Sequence, residues 1–345
     1  MRKSIIVLVS LFFTAIASTW LLESCRKDML AGLTALPQQI PAGFPAPNYT
    51  FADNPATKEG FELGKKLFYD GRLAIDNIHS CASCHQQIAA FGTFEHDRSH
   101  GVNHTHTLRN APPLFNLAWQ KELHWDGEYQ SLYKEVEQPL YGDHEMGETF
   151  EGIIKKLKQD PEYPKMFQKV FKSSFITPDH IRKALAQFTG NLVSANSKYD
   201  LYKKGLATFN SFEEHGYQVF KNKCASCHPE PLFTDYSYRN IGLPADPDLN
   251  DFGRIRVTKK AEDNMKFRVL SLRNVNITSH YMHDGRFASL SQCMDHYRTG
   301  VQQSATLDPL LINGISMTDD EALDVIRFLQ TLTDSTFIQD PSLMP

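Results

Sequence analysis

Cys81-Ala-Ser-Cys84-His85 and Cys224-Ala-Ser-Cys227-His228 constrain this chain more than any other feature. A C-x-x-C-H sequence is the attachment signature of a c-type haem. Two thiols add across the two vinyl groups on one edge of the porphyrin, and the adjacent imidazole reaches beneath the ring to the iron. Cys81, Cys84, Cys224 and Cys227 are therefore the candidate covalent anchors, and His85 and His228 the candidate iron ligands. A zinc site built from two C-x-x-C knuckles gives no reason for a histidine after each pair. A thioredoxin-type redox pair would occur once, in a βαβ setting that this sequence lacks. Two covalently bound haem c groups are the expectation, and the fold has to close around both.

Matching landmarks surround the two motifs. Gly64-Lys-Lys-Leu-Phe68 precedes the first and Gly216-Tyr-Gln-Val-Phe220 the second, each reading as a short amphipathic helix leading into a haem site. Leu108-Arg109-Asn110, Trp125-Asp126-Gly127 and Leu132 follow the first motif. Leu272-Arg273-Asn274, His283-Asp284-Gly285 and Leu290 follow the second. Shared order with unequal spacing points to a duplicated haem domain. A chain of 345 residues has room for two domains. Its 41% apolar content, with 23 Phe and 13 Tyr, can fill a packed core and excludes a disordered or collagen-like chain.

Between the halves, residues 151–171 and 178–204 read as helical. Thr177-Pro178 is an N-cap followed by proline at the first helical position. Ile181, Leu185, Phe188, Leu192 and Val193 keep helical spacing behind it. Thr318-Asp-Asp-Glu321 is a capping box that opens a helix over 318–333. The expected fold is mainly α: two cytochrome c-like haem domains related by duplication, with long loops. The N-terminal haem domain is placed at 55–205 and the C-terminal one at 206–336, with 26–54 as linker and 337–345 as tail.

Arg2 and Lys3 precede an apolar run from Ile5 to Leu22, the pattern of a secretory signal peptide, with an uncleaved anchor as the alternative. Leu22-Glu23-Ser24-Cys25 resembles a bacterial lipoprotein box, although Glu23 is unusual in one. Residues 1–25 are read as the signal peptide and Cys25 as a candidate lipidation site. The Pro-, Ala- and Gly-rich stretch 31–55 reads as a tether. The expected location is the periplasm of a Gram-negative bacterium, with the membrane reached through the lipid at most. A net charge of −4 provides no overall basic field for nucleic acid.

Both haem motifs, Arg109-Asn110-Ala-Pro112, Trp125-Asp126-Gly127, Glu145-Met146-Gly147 and Met282-His283-Asp284-Gly285 resemble the bacterial di-haem cytochrome c peroxidase and MauG family. The resemblance spans roughly Pro55 to Thr333. It implies that the N-terminal haem reacts with peroxide and the C-terminal haem relays electrons to it. Glu145 matches the distal carboxylate, which must take a proton from one peroxide oxygen and return it to the other. The family has a glutamine ten residues earlier, where this chain has Glu135. A second carboxylate there either raises the pKa of Glu145 or faces solvent. Trp125 matches the tryptophan between the haems, where an indole passes electrons, packs against porphyrin, or both. Asn110 matches a residue at an inter-haem calcium site, with Thr278 and His280 at positions that offer backbone carbonyls to the ion.

Two departures from the family pattern remain. Typical members ligate the second haem with a methionine fourteen residues after the His-Asp-Gly histidine, where this chain has Tyr297. MauG-like members carry tyrosine there. A phenolate favours ferric iron and a thioether favours ferrous. Tyr297 is the first candidate, Met294 on the same helix face the second, and His296 the third. Cys293 is left as a buried small apolar residue. The second departure is the loop holding His96, His100, His104 and His106. None aligns clearly with the family's loop ligand to the first iron, so any of them could cap it or simply face solvent. His79 and His124 read as packing or hydrogen-bonding residues.

The resemblance implies a di-haem peroxidase that reduces hydrogen peroxide with electrons from a small donor protein, a cytochrome c or cupredoxin. A homodimer is implied on the same ground. One alternative is a MauG-like oxidase of a protein or organic substrate through high-valent haem. A second is a non-catalytic di-haem electron carrier or sensor.

Overall fold

The computed structural model describes residues 31–345, so the expected signal peptide and Cys25 lie outside the described residues. Helix α1 (Lys58–Phe68) starts where Thr57 accepts a side-chain hydrogen bond from Gly60 N. It runs into the one-turn helix α2 (Cys81–Cys84). Then come α3 (Leu132–Glu135), α4 (Glu137–Tyr141), α5 (Phe150–Leu157), α6 (Glu162–Phe171), α7 (Pro178–Thr189) and α8 (Lys198–Lys203). The second half holds α9 (Ser211–Lys223), β1 (Tyr238–Arg239), α10 (Ile255–Thr258), β2 (Phe267–Arg268), α11 (Leu290–Asp295), α12 (Asp319–Gln330) and α13 (Ser335–Ile338). β1 and β2 pair antiparallel, Tyr238 opposite Arg268 and Arg239 opposite Phe267. No helix among the described residues is long and apolar enough to cross a membrane.

The glycines of the two helical landmarks have the same structural purpose. α1 crosses α7 so closely that a Cβ on Gly64 would lie 2.0 Å from Ala184 O. α9 crosses α12 just as closely, and a Cβ on Gly216 would lie 1.8 Å from Asp324 O. No other residue permits either approach. Each crossing seeds a core. Around the first, Leu63, Leu67, Phe68, Phe91, Leu185 and Phe188 are buried together. Around the second, Tyr217, Phe220, Phe233, Val325, Phe328 and Leu329 are. Each such side chain contributes roughly 1.5–3 kcal/mol by leaving water.

Two helix expectations need correction. The helix expected over 151–171 breaks between α5 and α6, because Pro161 has no N–H to continue it and Asp160 Oδ1 accepts from Glu162 N at 2.9 Å, capping a new start. The helix expected over 178–204 stops after Thr189. Leu192 O accepts from Asn116 N at 2.8 Å, and Asn116 and Ser194 exchange two hydrogen bonds of 3.0 Å, holding the chain extended. A capping box of Ser197 and Asp200 then starts α8. Part of the stretch before α1 contacts the first half: Phe51 is buried, Leu36 N donates to Ala56 O at 2.9 Å, and Phe44 lies edge-on to Trp119 at 5.2 Å, while most of 31–50 stays exposed or half-exposed. The segment 337–345 also packs, with Phe337 and Leu343 buried in the first core and Leu343 O accepting from Tyr69 Oη at 2.9 Å.

Candidate active site

Helix α2 is a single turn that holds three reactive groups in fixed relation. His85 N donates to Cys81 O at 2.9 Å. His85 Nδ1 lies 2.9 Å from Phe91 O. A carbonyl only accepts, so Nδ1 carries the proton and Nε2 presents a lone pair, the tautomer an iron ligand needs. Loss of water around the ring pushes its pKa below the ordinary histidine range and keeps it neutral. Burial pushes the Cys81 thiol up to about 12 and the Cys84 thiol up to about 11. These residues line a cavity of about 370 Å³ with apolar walls that include Phe68, Leu123, Leu140 and Leu185.

Glu145 lines the same cavity. Its position is set by backbone: Glu145 N donates to Gly142 O at 2.9 Å, and Glu145 O accepts from Val102 N at 2.9 Å. Met146 anchors the turn in the first core, and Gly147 takes the left-handed conformation, φ +59°, that lets it close. Gln138 Nε2 donates to Glu145 Oε1 at 2.9 Å. Burial pushes the Glu145 pKa above the ordinary carboxyl range; Gln138 and His124 pull it down, while the charge of Glu135 adds to the rise. Glu135 lines the cavity and pairs with His124 (Oε1 to Nε2, 3.2 Å). Gln138 was not among the sequence candidates. Its signal was position: it lies three residues from Glu135, across the junction of α3 and α4.

The loop histidines cluster. The rings of His96 and His100 are 4.7 Å apart, as are those of His100 and His106. Of the four, His100 lines the cavity and His96, His104 and His106 do not. No group of three or more His, Cys, Asp or Glu among the described residues is arranged to hold a metal ion.

The second site repeats the first. Cys224 ends α9, His228 N donates to Cys224 O at 3.0 Å, and His228 Nδ1 lies 3.0 Å from Phe233 O. Loss of water holds the imidazole neutral here too, and burial pushes the Cys224 thiol up to about 12. The cavity is about 260 Å³ and walled by Phe220, Leu272, Leu290, Val325 and Leu329. Tyr297 and Met294 both line it. Tyr297 sits on a π-turn over His296–Gly300, which re-aims side chains at the end of α11. His296 instead turns its Nε2 to Ile241 O at 2.9 Å. Cys293 is buried, lines the same cavity, and burial pushes its thiol up to about 12.

One wall separates the two sites. Asn110, Ala111, Pro113, Trp125 and Arg268 line both cavities. Trp125 Nε1 donates to Asn110 O at 2.8 Å, Arg268 N donates to Trp125 O at 2.7 Å, and Asn110 N donates to His283 O at 2.8 Å. His283 stacks on Phe267 at 3.7 Å. Behind Trp125, the fully buried Asp126 is gripped by Arg109 Nη1 at 2.8 Å and Arg256 Nη2 at 2.7 Å. Burial acts to raise its pKa, yet the two guanidiniums hold it below the ordinary range. Asn110, Thr278 and His280 all line the second cavity. The residues fit two covalent haems: each cavity is apolar, with a thiol pair and a neutral imidazole. Arg268 Nε is buried between them without a hydrogen-bond acceptor in the protein.

The model of the di-haem cytochrome c peroxidase family matches residues 58–208. The chain is 33% identical over 285 residues to the methylamine utilization protein MauG of Methylorubrum extorquens, covering 81% of this chain and 79% of that one. It is 33% identical over 299 residues to cytochrome c551 peroxidase of Nitrosomonas europaea, covering 85% and 86%. The chain belongs to the di-haem cytochrome c peroxidase family. It is an oxidoreductase acting on peroxide, as its peroxidase relatives are. Among solved structures, a MauG-like protein associated with microbial copper homeostasis superposes with a TM-score of 0.83 at 31% identity, covering 90% of this chain and 99% of that one. Membership makes haem c the cofactor of the two C-x-x-C-H sites.

Proposed function

We propose that this family member reduces hydrogen peroxide to water at the His85 site, with electrons from a small donor such as a cytochrome c or cupredoxin entering through the His228 site. The observation that carries this reading is Glu145, a carboxylate of raised pKa in the His85 cavity, held by Gln138. When bound, the two haems supply iron that binds peroxide at the first site and passes single electrons at both. Glu145 takes the proton from one peroxide oxygen and delivers it to the other, which leaves as water. Hydrogen peroxide, two electrons and two protons give two waters. Trp125, in the shared wall, carries electrons between the sites, and Asp126 with its two arginines fixes the backbone beside it. Peroxide-dependent oxidation of reduced cytochrome c tests the reading, with the E145Q variant slowed by roughly 10²–10⁴-fold. Wild-type protein that turns over no donor, before or after pre-reduction, would refute it.

Tyr297 favours a second reading: a MauG-like oxidase that draws electrons from a protein or organic substrate instead. It predicts oxidation of such a substrate with no small donor protein added. The same proposal includes two domains related by duplication, calcium held by oxygens of Asn110, Thr278 and His280, and a periplasmic location with Cys25 lipidated.

A further inference from the structure

We propose that Arg268 is a cationic clamp set between the two haem sites, its free guanidinium edge hydrogen-bonding a carboxylate of a bound haem. The inference rests on the di-haem reading above.

Arg268 is 5% exposed. Its Nη1 donates to Gln120 Oε1 at 2.5 Å and to Glu122 O. Its Nε has no hydrogen-bond partner; the charges of Glu122 and Asp126 act on it, but Glu122 is bonded to Tyr238 and Arg254 and Asp126 to Arg109 and Arg256. The other fully buried arginine is treated differently. Arg273, 1% exposed, meets Asp200 through two hydrogen bonds of 2.8 and 2.9 Å. Arg109 and Arg239, in the same region, each pair with two aspartates. A desolvated cation with a donor left unpaired and its nearest carboxylates already engaged is costly. Burial pushes the Arg268 pKa down, which is the same cost seen from the proton's side.

The place where the fold leaves this cation unpaired is the wall common to both cavities. A haem carries two carboxylates, and the Nε edge of a guanidinium matches a carboxylate in plane. The remaining contacts hold Arg268 still: β2 pairs it with Tyr238, and its N–H bonds Trp125 O at 2.7 Å. A fixed positive charge there favours electron uptake by iron on either side. Arg268 is thus a positioning and tuning residue for the electron path.

The test uses haem-loaded R268Q and R268K. Pyridine haemochrome analysis counts haems per chain, spectroelectrochemical titration gives the potentials, and resonance Raman follows the haem carboxylate-bending band. In R268Q the reduction equilibrium of at least one haem is expected to fall tenfold or more, about 59 mV for a one-electron couple, and the band moves. R268K, which keeps the charge and loses the fork, restores the potential but not the band. Two haems with wild-type potentials and an unmoved band in R268Q would overturn the proposal. Should R268Q fail to load haem, the band in R268K decides, moved supporting the clamp and unmoved overturning it. Neither peroxide nor donor enters these measurements, so loss of the peroxidase reading and loss of the clamp are separately visible.

Discussion

Glu145 has neighbours that act on it in opposite directions, so its titration can be pushed both ways. Gln138 donates to its carboxylate at 2.9 Å, while the charge of Glu135 raises its pKa. A hydrogen bond to a charged group is worth about 1.5–3 kcal/mol, and one to the neutral acid roughly half that. Q138L therefore destabilises the carboxylate relative to the acid by roughly 1 kcal/mol, or about 0.7 pH unit at 1.36 kcal/mol per unit. In the proposed mechanism catalysis begins from the carboxylate. Activity is then lost as pH falls through the Glu145 pKa, and a higher pKa moves that acidic limb to higher pH. E135Q removes a neighbouring negative charge, lowers the Glu145 pKa and moves the limb to lower pH. E145Q removes the limb together with most of the activity. The assay is kcat/KM for peroxide against pH, which reports groups of the free enzyme. A limb that stays put or moves down in Q138L, or that survives in E145Q, refutes the assignment of Glu145 as the proton carrier.

Other perturbations read other parts of the molecule. W125F, which removes the Nε1 bond to Asn110 O, should lose about 1 kcal/mol of stability and slow electron transfer between the haems in stopped-flow traces, with KM for peroxide unchanged. G64A and G216A each force a Cβ into a helix backbone and should cost at least 1–3 kcal/mol, seen as a lower Tm. Y297M should raise the potential of the His228 haem, because thioether replaces phenol, whereas M294L should leave it unchanged; the reverse pattern would make Met294 the ligand.

The haem sites were legible because covalent chemistry fixes their spacing within five residues. The helix crossings were legible in part. Gly64 and Gly216 stood out as matching landmarks, but that they touch Ala184 O and Asp324 O depends on partners more than a hundred residues away. The long helix expected over 178–204 was misread because a polar side chain captured backbone from another segment. Asn116 pairing with Ser194 ended α7, a contact no local pattern announces. Gln138 and Arg268 were missed for the same reason. Gln138 acquires meaning only when Glu145 folds back to it, and the charge of Arg268 becomes conspicuous only once the fold buries it.

The two sites hold their proximal histidines alike and differ in the rest of their lining. Both aim an imidazole with a carbonyl five or six residues on, Phe91 O and Phe233 O, and both keep it neutral by excluding water. Both are reached by a helix whose glycine lets it nest against a partner. What is not repeated is the remaining lining. At the first site a glycine-closed turn brings in a carboxylate with an amide to hold it. At the second a π-turn brings in a phenol among apolar side chains. A site that must move protons needs the former; a site that only exchanges electrons is better served by a dry wall, which limits the reorganisation of solvent around the changing charge. In the proposed mechanism the division of labour between the haems rests on two loop closures, Gly142–Gly147 and His296–Gly300, set beside proximal histidines that are held alike.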